Sequence, residues 1–275
     1  MSEDDGRVPA PFGTRDVAIN GIEELGPYRV FSCSDPAGPV PSAGQFYMLT
    51  GAERWGGGVD ERPYLPRAIS VLAAGDGQLS FVIEVVGPGT GRLAELVDGD
   101  RLRLLGPLGN RFRPPAAGLR PILCGGGIGV APLAMMAQQL VAEGREVTSL
   151  LGFRDAEHAV GAEFIAGAAV ATDDGSVGHG GLVTELLLAE LDRDPSAVVY
   201  SCGPPQMLDA VRAISVASGV PAQLALEAPM ACGYGACYGC VVKVADGSYR
   251  RTCVDGPVVV ADELAIDWLG GERSQ

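Results

Sequence analysis

Four cysteines constrain this 275-residue chain more than any other feature, because together they form one tight constellation. Cys232, Cys237, Cys240 and Cys253 follow the spacing C-x4-C-x2-C-x12-C. This is the plant-type spacing for a 2Fe–2S cluster, in which four thiolates hold the two irons. The interleaved glycines let the loop wrap tightly and direct N–H groups at the sulfur atoms. Those glycines are Gly233, Gly235 and Gly239.

Zinc is the alternative ligand for these thiols. Structural zinc sites more often combine two C-x2-C pairs or mix cysteine with histidine, and neither His158 nor His179 lies near the loop in sequence. A third interpretation takes the cysteines as structural thiols. The chain has seven cysteines and begins without a secretory leader, so we expect reduced, metal-binding cysteines in a cytoplasmic protein. Two others, Cys33 and Cys124, occur in apolar strands and are expected in the core.

The charge balance argues against nucleic acid as a partner. The formal net charge is −14, and a strongly acidic surface repels phosphate backbones. The simplest role of this acidity is solubility. No apolar run approaches the ~18 residues of a membrane helix, so we also predict no membrane span.

The spacing of hydrophobic residues divides the chain into segments. Over residues 16–110, short apolar segments separated by Gly, Pro and Asp turns are typical of an antiparallel sandwich or barrel. Over residues 119–225, apolar runs alternate with helical stretches, which indicates a parallel α/β sheet. We predict a multidomain β plus α/β protein: a flexible N-terminus at 1–15, an antiparallel Greek-key β-barrel at 16–115, a parallel α/β nucleotide domain at 116–225, and a small cluster-binding subdomain at 226–275. The last segment also contains a predicted hairpin, "VVKVADGSYRR".

Glycine-rich turns follow two of the predicted parallel strands. In "CGGGIGVAPL", Gly125, Gly127 and Gly129 separate an apolar strand from a helix start, where unpaired N–H groups attract a diphosphate. "SCGPPQML" places Cys202 and Gly203 at a second strand end on the same edge of the sheet. Because ligands of open α/β sheets bind at that edge, we predict a nucleotide site there. Tight packing of strand against helix is the alternative explanation of the first turn.

The barrel segment carries two further patterns suited to a diphosphate. "RPYLPRAISV" places a cation, Arg67, and a hydroxyl, Ser70, at the start of a strand. "VVGPGTGRLAEL" offers Gly87, Gly89 and Thr90 before a short helix, with Thr90 as the predicted N-cap. Ordinary β-turn chemistry explains each pattern equally well, and their conjunction favours a cofactor.

These motifs resemble those of a known family. R-x-x-S and G-x-G-T in the barrel resemble the FAD-binding domain of the ferredoxin reductase superfamily, and G-G-G-I-G-V-A-P and C-G-P resemble its pyridine-nucleotide domain. "MACGYGACYGCVVK" and "RTCVDGPVV" are similar to the electron-transfer subunit of type B dihydroorotate dehydrogenase, and are the most specific part of the resemblance. The likeness extends over nearly the whole chain from about residue 16.

The resemblance implies three cofactors, FAD, a 2Fe–2S cluster and NAD, and a partner. The implied partner is an FMN-containing catalytic subunit that oxidises dihydroorotate to orotate in pyrimidine biosynthesis, joined in a heterotetramer of two copies of each chain. The resemblance implies that Cys202 approaches the nicotinamide and that the four clustered cysteines ligate iron. The implied FAD residues are Arg67, Ala68, Ile69, Ser70, Gly87, Gly89 and Thr90; the NAD residues are Gly125, Gly127, Gly129 and Gly203.

Physical chemistry supports the same combination. NAD exchanges a hydride, an iron–sulfur cluster accepts one electron at a time, and a flavin does both. The three cofactors together can therefore convert a two-electron transfer into one-electron transfers. Alternatives are a reductase subunit of an NAD(P)H–ferredoxin oxidoreductase or sulfhydrogenase complex and, more remotely, a zinc-binding scaffold. The choice of NAD or NADP stays open, because Arg154 suits a 2′-phosphate and Asp155 suits a ribose hydroxyl. The direction of electron flow and the roles of the N-terminal extension and of an insert at 52–65 are also open.

Overall fold

The computed structural model describes residues 14–53, 55 and 65–268. Most of the predicted flexible N-terminus and of the 52–65 insert therefore lies outside the described residues. The first strand begins at Arg15, one residue before the predicted start of the barrel. No helix in these described ranges is long and apolar enough to cross a membrane.

The first half of the chain folds into a closed barrel of six antiparallel strands, which confirms the predicted barrel. Its order around the barrel is β1-β2-β5-β4-β3-β6. Alternation drives the fold: in β6 the side chains of Arg101 and Arg103 face solvent, whereas Leu102 and Leu104 are completely buried. The strands are β1 (Arg15–Leu25), β2 (Tyr28–Ser34), β3 (Phe46–Gly51), β4 (Arg67–Gly75), β5 (Gln78–Glu84) and β6 (Arg101–Leu108), with the short helix α1 (Pro88–Ala94) between the last two.

The second half is a seven-stranded sheet with helices, which confirms the predicted α/β fold. The order is β10-β9-β8-β7-β11-β12-β15, and all neighbouring strands are parallel except the last pair. The strands are β7 (Arg120–Gly126), β8 (Thr148–Phe153), β9 (Ala169–Thr172), β10 (His179–Gly180), β11 (Ala197–Cys202), β12 (Ala222–Ala225) and β15 (Val258–Val260). The helices are α2 (Val130–Ala142), α3 (Ala156–Ala159), α4 (Val183–Arg193) and α5 (Pro205–Ser218).

Strand β15 ties the C-terminal segment to this sheet. It pairs antiparallel with β12, through Gln223 opposite Val260 and Ala225 opposite Val258. The chain between these two strands contains first the cysteine loop and then the predicted hairpin of β13 (Val241–Lys243) and β14 (Tyr249–Arg251). Both ends of the cysteine segment are thereby anchored to the edge of the nucleotide sheet.

A continuous apolar core joins the barrel to the sheet. It runs from Leu72 in the barrel to Ala131 and Met135 on α2, which is buried around most of its circumference. A buried hydroxyl reinforces the contact, since Tyr28 of β2 donates a hydrogen bond to the carbonyl of His158 in α3 at 3.2 Å. The barrel and the sheet therefore share one continuous apolar core.

Candidate functional site

The two glycine turns of the nucleotide sheet touch through their backbones. A Cβ atom added at Gly129 would stand 2.5 Å from the carbonyl oxygen of Cys202 and 2.7 Å from the amide nitrogen of Gly203. A Cβ at Gly203, whose φ is +159°, would stand 2.9 Å from the amide nitrogen of Gly126. Only glycine permits so close an approach. The carboxyl ends of β7 and β11 thus form one surface.

A cavity of about 610 Å³ opens at this surface. Gly127, Gly129 and Gly203, three of the residues predicted to bind a nucleotide, line it. Gly125 does not: it is buried inside β7, where a Cβ would press on Leu133 and Leu151. The 3-10 turn Gly127–Gly129, which leads into helix α2, lines the cavity without a side-chain cap, so its backbone N–H groups suit a diphosphate.

Asp155 and Arg154, the two residues considered for the choice between NAD and NADP, both have partners within the protein. The Asp155 carboxylate accepts hydrogen bonds from the His158 backbone at 3.0 Å and contacts His158 Nδ1 at 2.6 Å. These hydrogen bonds lower the pKa of Asp155. Arg154 lines the cavity, and its guanidinium contacts the His158 ring and lies 3.5 Å from Glu84 of β5. The contact between Arg154 and Glu84 forms part of the interface between sheet and barrel.

A second cavity, of about 250 Å³, lies against the barrel. Five of the residues predicted to bind FAD line it: Arg67, Ala68, Ile69, Ser70 and Thr90. The other two, Gly87 and Gly89, do not line it, although Gly89 affects the placement of Arg67. A Cβ at Gly89 would overlap the Arg67 guanidinium, so the missing side chain is what allows Arg67 to lie over the helix start.

Thr90 is not the helix N-cap that the sequence predicts. Helix α1 begins at Pro88 after Gly87, so Thr90 is its third residue. The Thr90 hydroxyl oxygen instead accepts hydrogen bonds from the backbone N–H groups of Val86 at 3.0 Å and Gly87 at 3.3 Å. Proline is favoured at the first position of a helix, because the N–H group at that position has no partner within the helix. Pro88 therefore sets the helix start before Thr90. The hydroxyl still stabilises the turn.

The two cavities meet at a short stretch of shared wall. Glu84, Ile128, Gly129 and Glu227 line both of them, and Cys202 lines the second. Cys202 is buried, and this burial, together with the nearby Glu227 carboxyl, raises the pKa of its thiol. The thiol is consequently neutral, which suits packing beside a cofactor ring rather than nucleophilic attack. A ligand in one cavity would lie next to a ligand in the other.

Glu227 is a functional candidate that sequence reasoning missed. Burial raises the pKa of its carboxyl, and no hydrogen bond to this carboxyl is found within the described part of the chain. A carboxyl with a raised pKa at the junction of two cavities can hold or release a proton there. Its signal in the sequence is weak, because the segment "LALEAPM" looks like an ordinary apolar core segment apart from this one acidic residue.

The four clustered cysteines fall into two pairs. Cys240 and Cys253 are buried with their sulfur atoms 3.2 Å apart, and burial followed by the proximity of Cys240 raises the pKa of Cys253 to about 12. Cys232 interacts with the exposed Cys237. Burial opposes ionisation of Cys232, but backbone N–H groups, foremost that of Cys237, lower its pKa to about 6. N–H groups that stabilise a thiolate also stabilise a metal-bound sulfur.

This arrangement suits a binuclear cluster better than a single zinc ion. Zinc requires four ligands around one point, whereas each iron of a 2Fe–2S cluster takes two thiolates. Two pairs, one buried and one near the surface, match the binuclear requirement.

Arg251 braces the cysteine loop, a role that no sequence motif indicated. Its guanidinium donates to the Gly235 carbonyl at 3.3 Å and to the Asp255 carboxylate at 3.2 Å. It also lies 5.1 Å from the ring centroid of Tyr238, a residue held at a φ of +58°. The left-handed conformation at Tyr238 is therefore supported by a cation–π contact.

An apolar wall separates the second cavity from the buried cysteine pair. Phe46 lines that cavity and packs in one cluster with Met48, Leu108, Cys240 and Cys253. The loop reaches this wall closely, since a Cβ at Gly233 would overlap the Met48 side chain. The fold thus places three candidate sites in sequence: the 610 Å³ cavity, the 250 Å³ cavity and the cysteine loop.

Known proteins share this arrangement. Residues 227–265 match the sequence model of the iron–sulfur cluster binding domain of dihydroorotate dehydrogenase B. The chain is also similar in fold to a solved structure of an NADH-dependent reduced ferredoxin–NADP oxidoreductase, with a TM-score of 0.78, 26% identity and coverage of 96% of both chains. Phthalate dioxygenase reductase shares the fold at a TM-score of 0.60 and 19% identity, over 88% of this chain and 94% of that one.

Relatives in sequence cover most of the chain. The electron transfer subunit of dihydroorotate dehydrogenase B (NAD(+)) from Caldanaerobacter subterraneus subsp. tengcongensis is 37% identical over 82% of this chain and 88% of the relative. The corresponding subunit from Bacillus caldolyticus is 41% identical over 74% of this chain and 81% of the relative. Identity at this level over this length, together with the cluster-domain match, establishes the relationship. The chain belongs to the family of dihydroorotate dehydrogenase B electron transfer subunits.

Proposed function

We propose that this protein transfers electrons between NAD and a partner dihydroorotate dehydrogenase, in pyrimidine biosynthesis. The observation that carries the proposal is the contiguity of two cavities and a cysteine loop within a member of this family. NAD would occupy the 610 Å³ cavity, FAD the 250 Å³ cavity, and a 2Fe–2S cluster the loop. When bound, the flavin supplies the exchange between two-electron and one-electron chemistry.

The chain's own residues would position these groups. Gly127, Gly129 and Gly203 offer backbone N–H groups to the NAD diphosphate without interfering side chains. Arg67 presents a guanidinium to the FAD diphosphate, and Ser70 presents a hydroxyl. Buried Cys202 would exclude water from the junction where the nicotinamide and flavin rings would meet, and Glu227 lines the same junction.

The four cysteines are proposed as the iron ligands. Cys240 and Cys253 would hold the iron that faces Phe46 and the second cavity, whereas Cys232 and Cys237 would hold the iron nearer the surface. Because Cys237 is exposed, the proposed exit for electrons toward a partner lies on its side of the loop.

Domain limits and assembly form part of the same proposal. Residues 16–115 would bind FAD, 116–225 NAD and 226–275 the cluster, although β15 also extends the NAD-side sheet. The partner would be an FMN-containing catalytic subunit, in a cytoplasmic heterotetramer of two copies of each chain. Light scattering of the purified complex measures the stoichiometry, and flavin analysis measures FMN in the partner.

The variant Cys237→Ser tests the ligand assignment. We expect loss of the iron–sulfur absorption and of half or more of the bound iron, with NADH-dependent reduction of FAD retained. Cys33→Ala, which removes a buried cysteine outside the loop, is the matched control and should keep the full spectrum. A full cluster spectrum in the Cys237→Ser protein would contradict the assignment.

A second candidate function is supported by the likeness to the NADH-dependent ferredoxin–NADP oxidoreductase, which covers 96% of this chain. In that case the cofactors would be the same and the partner would differ. Purification of the chain from its native source, followed by mass spectrometry, distinguishes the two. A complex that reduces NAD when given dihydroorotate supports the first function; a complex inactive with dihydroorotate but active with ferredoxin supports the second.

A further inference from the structure

A third cavity, of about 450 Å³, shares no lining residue with the other two. It lies where three parts of the chain meet: the segment between β6 and β7, the β12–β15 edge of the sheet, and strand β14 of the hairpin. Its wall is mainly polar. Three arginines and three neutral polar side chains line it: Arg111, Arg113, Arg250, Asn110, Gln223 and Tyr249.

Hydrogen bonds hold the wall of this cavity in place. The Arg113 amide donates to Gln223 Oε1 at 2.7 Å, and its carbonyl accepts from Gln223 Nε2 at 3.0 Å and from the Tyr200 hydroxyl at 2.9 Å. Asn110 forms a reciprocal pair with the backbone of Val258, at 2.8 Å and 2.9 Å. The base of the Arg113 side chain is therefore fixed.

The lining of this cavity has a small excess of positive charge, although the protein as a whole is acidic. Its lining holds three arginines against two carboxylates, Asp255 and Glu263, in a chain of net charge −14. Glu263 accepts from Arg250 at 2.5 Å, while Arg111 and Asp255 each have interactions of their own. Among the described residues Arg113 takes part in no recorded ion pair, and its side chain is exposed at the cavity.

We propose that this cavity binds a small phosphate-bearing anion. Guanidinium groups form paired, charge-assisted hydrogen bonds with phosphate oxygens, and Arg113 and Arg250 approach the cavity from different elements. The volume lies in the range of sites for small molecules. The neutral side chains of Gln223 and Tyr249 supply further donors for an ester or sugar hydroxyl. This site is separate from the proposed cofactor sites and does not depend on them.

Binding there would link the hairpin to the sheet. Arg250 lies on β14, two residues before the Thr252–Cys253 segment, whereas Arg113 precedes β7. An anion held by both would restrain the strand that leads into Cys253. We therefore expect slower amide hydrogen exchange over residues 241–251 when the anion is present.

Titration calorimetry on the cofactor-loaded protein, saturated with NAD so that the dinucleotide sites are filled, tests the proposal. The probes are inorganic pyrophosphate and ribose 5-phosphate. We expect saturable binding of at least one probe, weakened at least tenfold in Arg113→Gln and in Arg250→Gln. Arg145→Gln, at a partly exposed arginine outside all three cavities, is the matched control and should bind as the unmodified protein does.

Two results would overturn the proposal. The first is no saturable binding of either probe to the unmodified protein. The second is binding to Arg113→Gln and Arg250→Gln with the affinity of the Arg145→Gln control. Since neither arginine side chain is buried, both variants are expected to fold, and an unchanged unfolding midpoint in urea verifies this.

Discussion

Replacing Gly129 with alanine tests whether backbone contact between the two glycine turns creates the nucleotide cavity. The added Cβ would stand 2.5 Å from the Cys202 carbonyl oxygen and 2.6 Å from its carbonyl carbon. Both atoms belong to the backbone, so no side-chain rotation relieves the overlap. Nonbonded heavy atoms pack at about 3.5–4.0 Å, and the turns must therefore separate by roughly 1 Å.

The size of the effect follows from this separation. Overpacking of a well-packed interior costs about 1–3 kcal/mol of unfolding free energy. The same movement widens the surface that carries Gly127 and Gly203 and misaligns its N–H groups. If about 1.4 kcal/mol of binding free energy is lost, the affinity for NAD falls about tenfold.

Urea unfolding and NADH titration of the purified Gly129→Ala protein measure the two effects separately. Gly75→Ala is the matched control, because a Cβ there meets no atom within 4 Å. We expect the control to match the unmodified protein in NADH affinity and to be at least as stable. Unchanged stability and unchanged affinity in Gly129→Ala would refute the role assigned to the turn contact; lower stability with unchanged affinity would place the nucleotide elsewhere.

Three further predictions follow from the second cavity. Gly89→Ala displaces the Arg67 guanidinium and should weaken FAD retention about tenfold, whereas Gly91→Ala on the same helix makes only an ordinary contact and should retain FAD; fluorescence of released flavin measures both. Phe46→Ala empties the wall beside the cysteine pair and should lower the unfolding free energy by about 3–5 kcal/mol, so a loss under 1 kcal/mol in urea would contradict the packing described. Because burial raises the pKa of Glu227, folding takes up a proton above the unfolded value of about 4.3, and this residue's contribution to stability decreases as the pH rises toward the folded pKa. Glu227→Gln should remove that decrease, and parallel pH slopes of urea stability in the two apo proteins would contradict it.

Local patterns predicted the elements well. The short apolar segments of the barrel, and the strand–glycine–helix order around Gly129, depend on residues close in sequence, and both were found as expected. Cys33 and Cys124 were correctly predicted as core residues, since both are completely buried. The predicted N-cap at Thr90 was wrong, because the N-cap is Gly87, three residues earlier, and the helix starts at Pro88.

Contacts between distant segments were not predictable in the same way. The pairing of β15 with β12 joins residues more than thirty positions apart, and neither strand has a distinctive pattern. Arg154, which belongs to the network of Asp155 and His158, also contacts Glu84 of the barrel. No reading of the segment after β8 alone reveals that network.

The sequence by itself determined the chemistry that the chain can carry. Cysteine spacing and glycine turns specify ligands and close backbone approach within short stretches, where covalent geometry leaves few alternatives. Only the tertiary structure decided how these pieces adjoin: the shared wall at Glu227 and Gly129, the apolar contact of Phe46 with Cys240, and the meeting of arginines from two distant segments in the third cavity. Those juxtapositions come from burial of a core that spans barrel and sheet, and such burial depends on the whole chain rather than on any one segment.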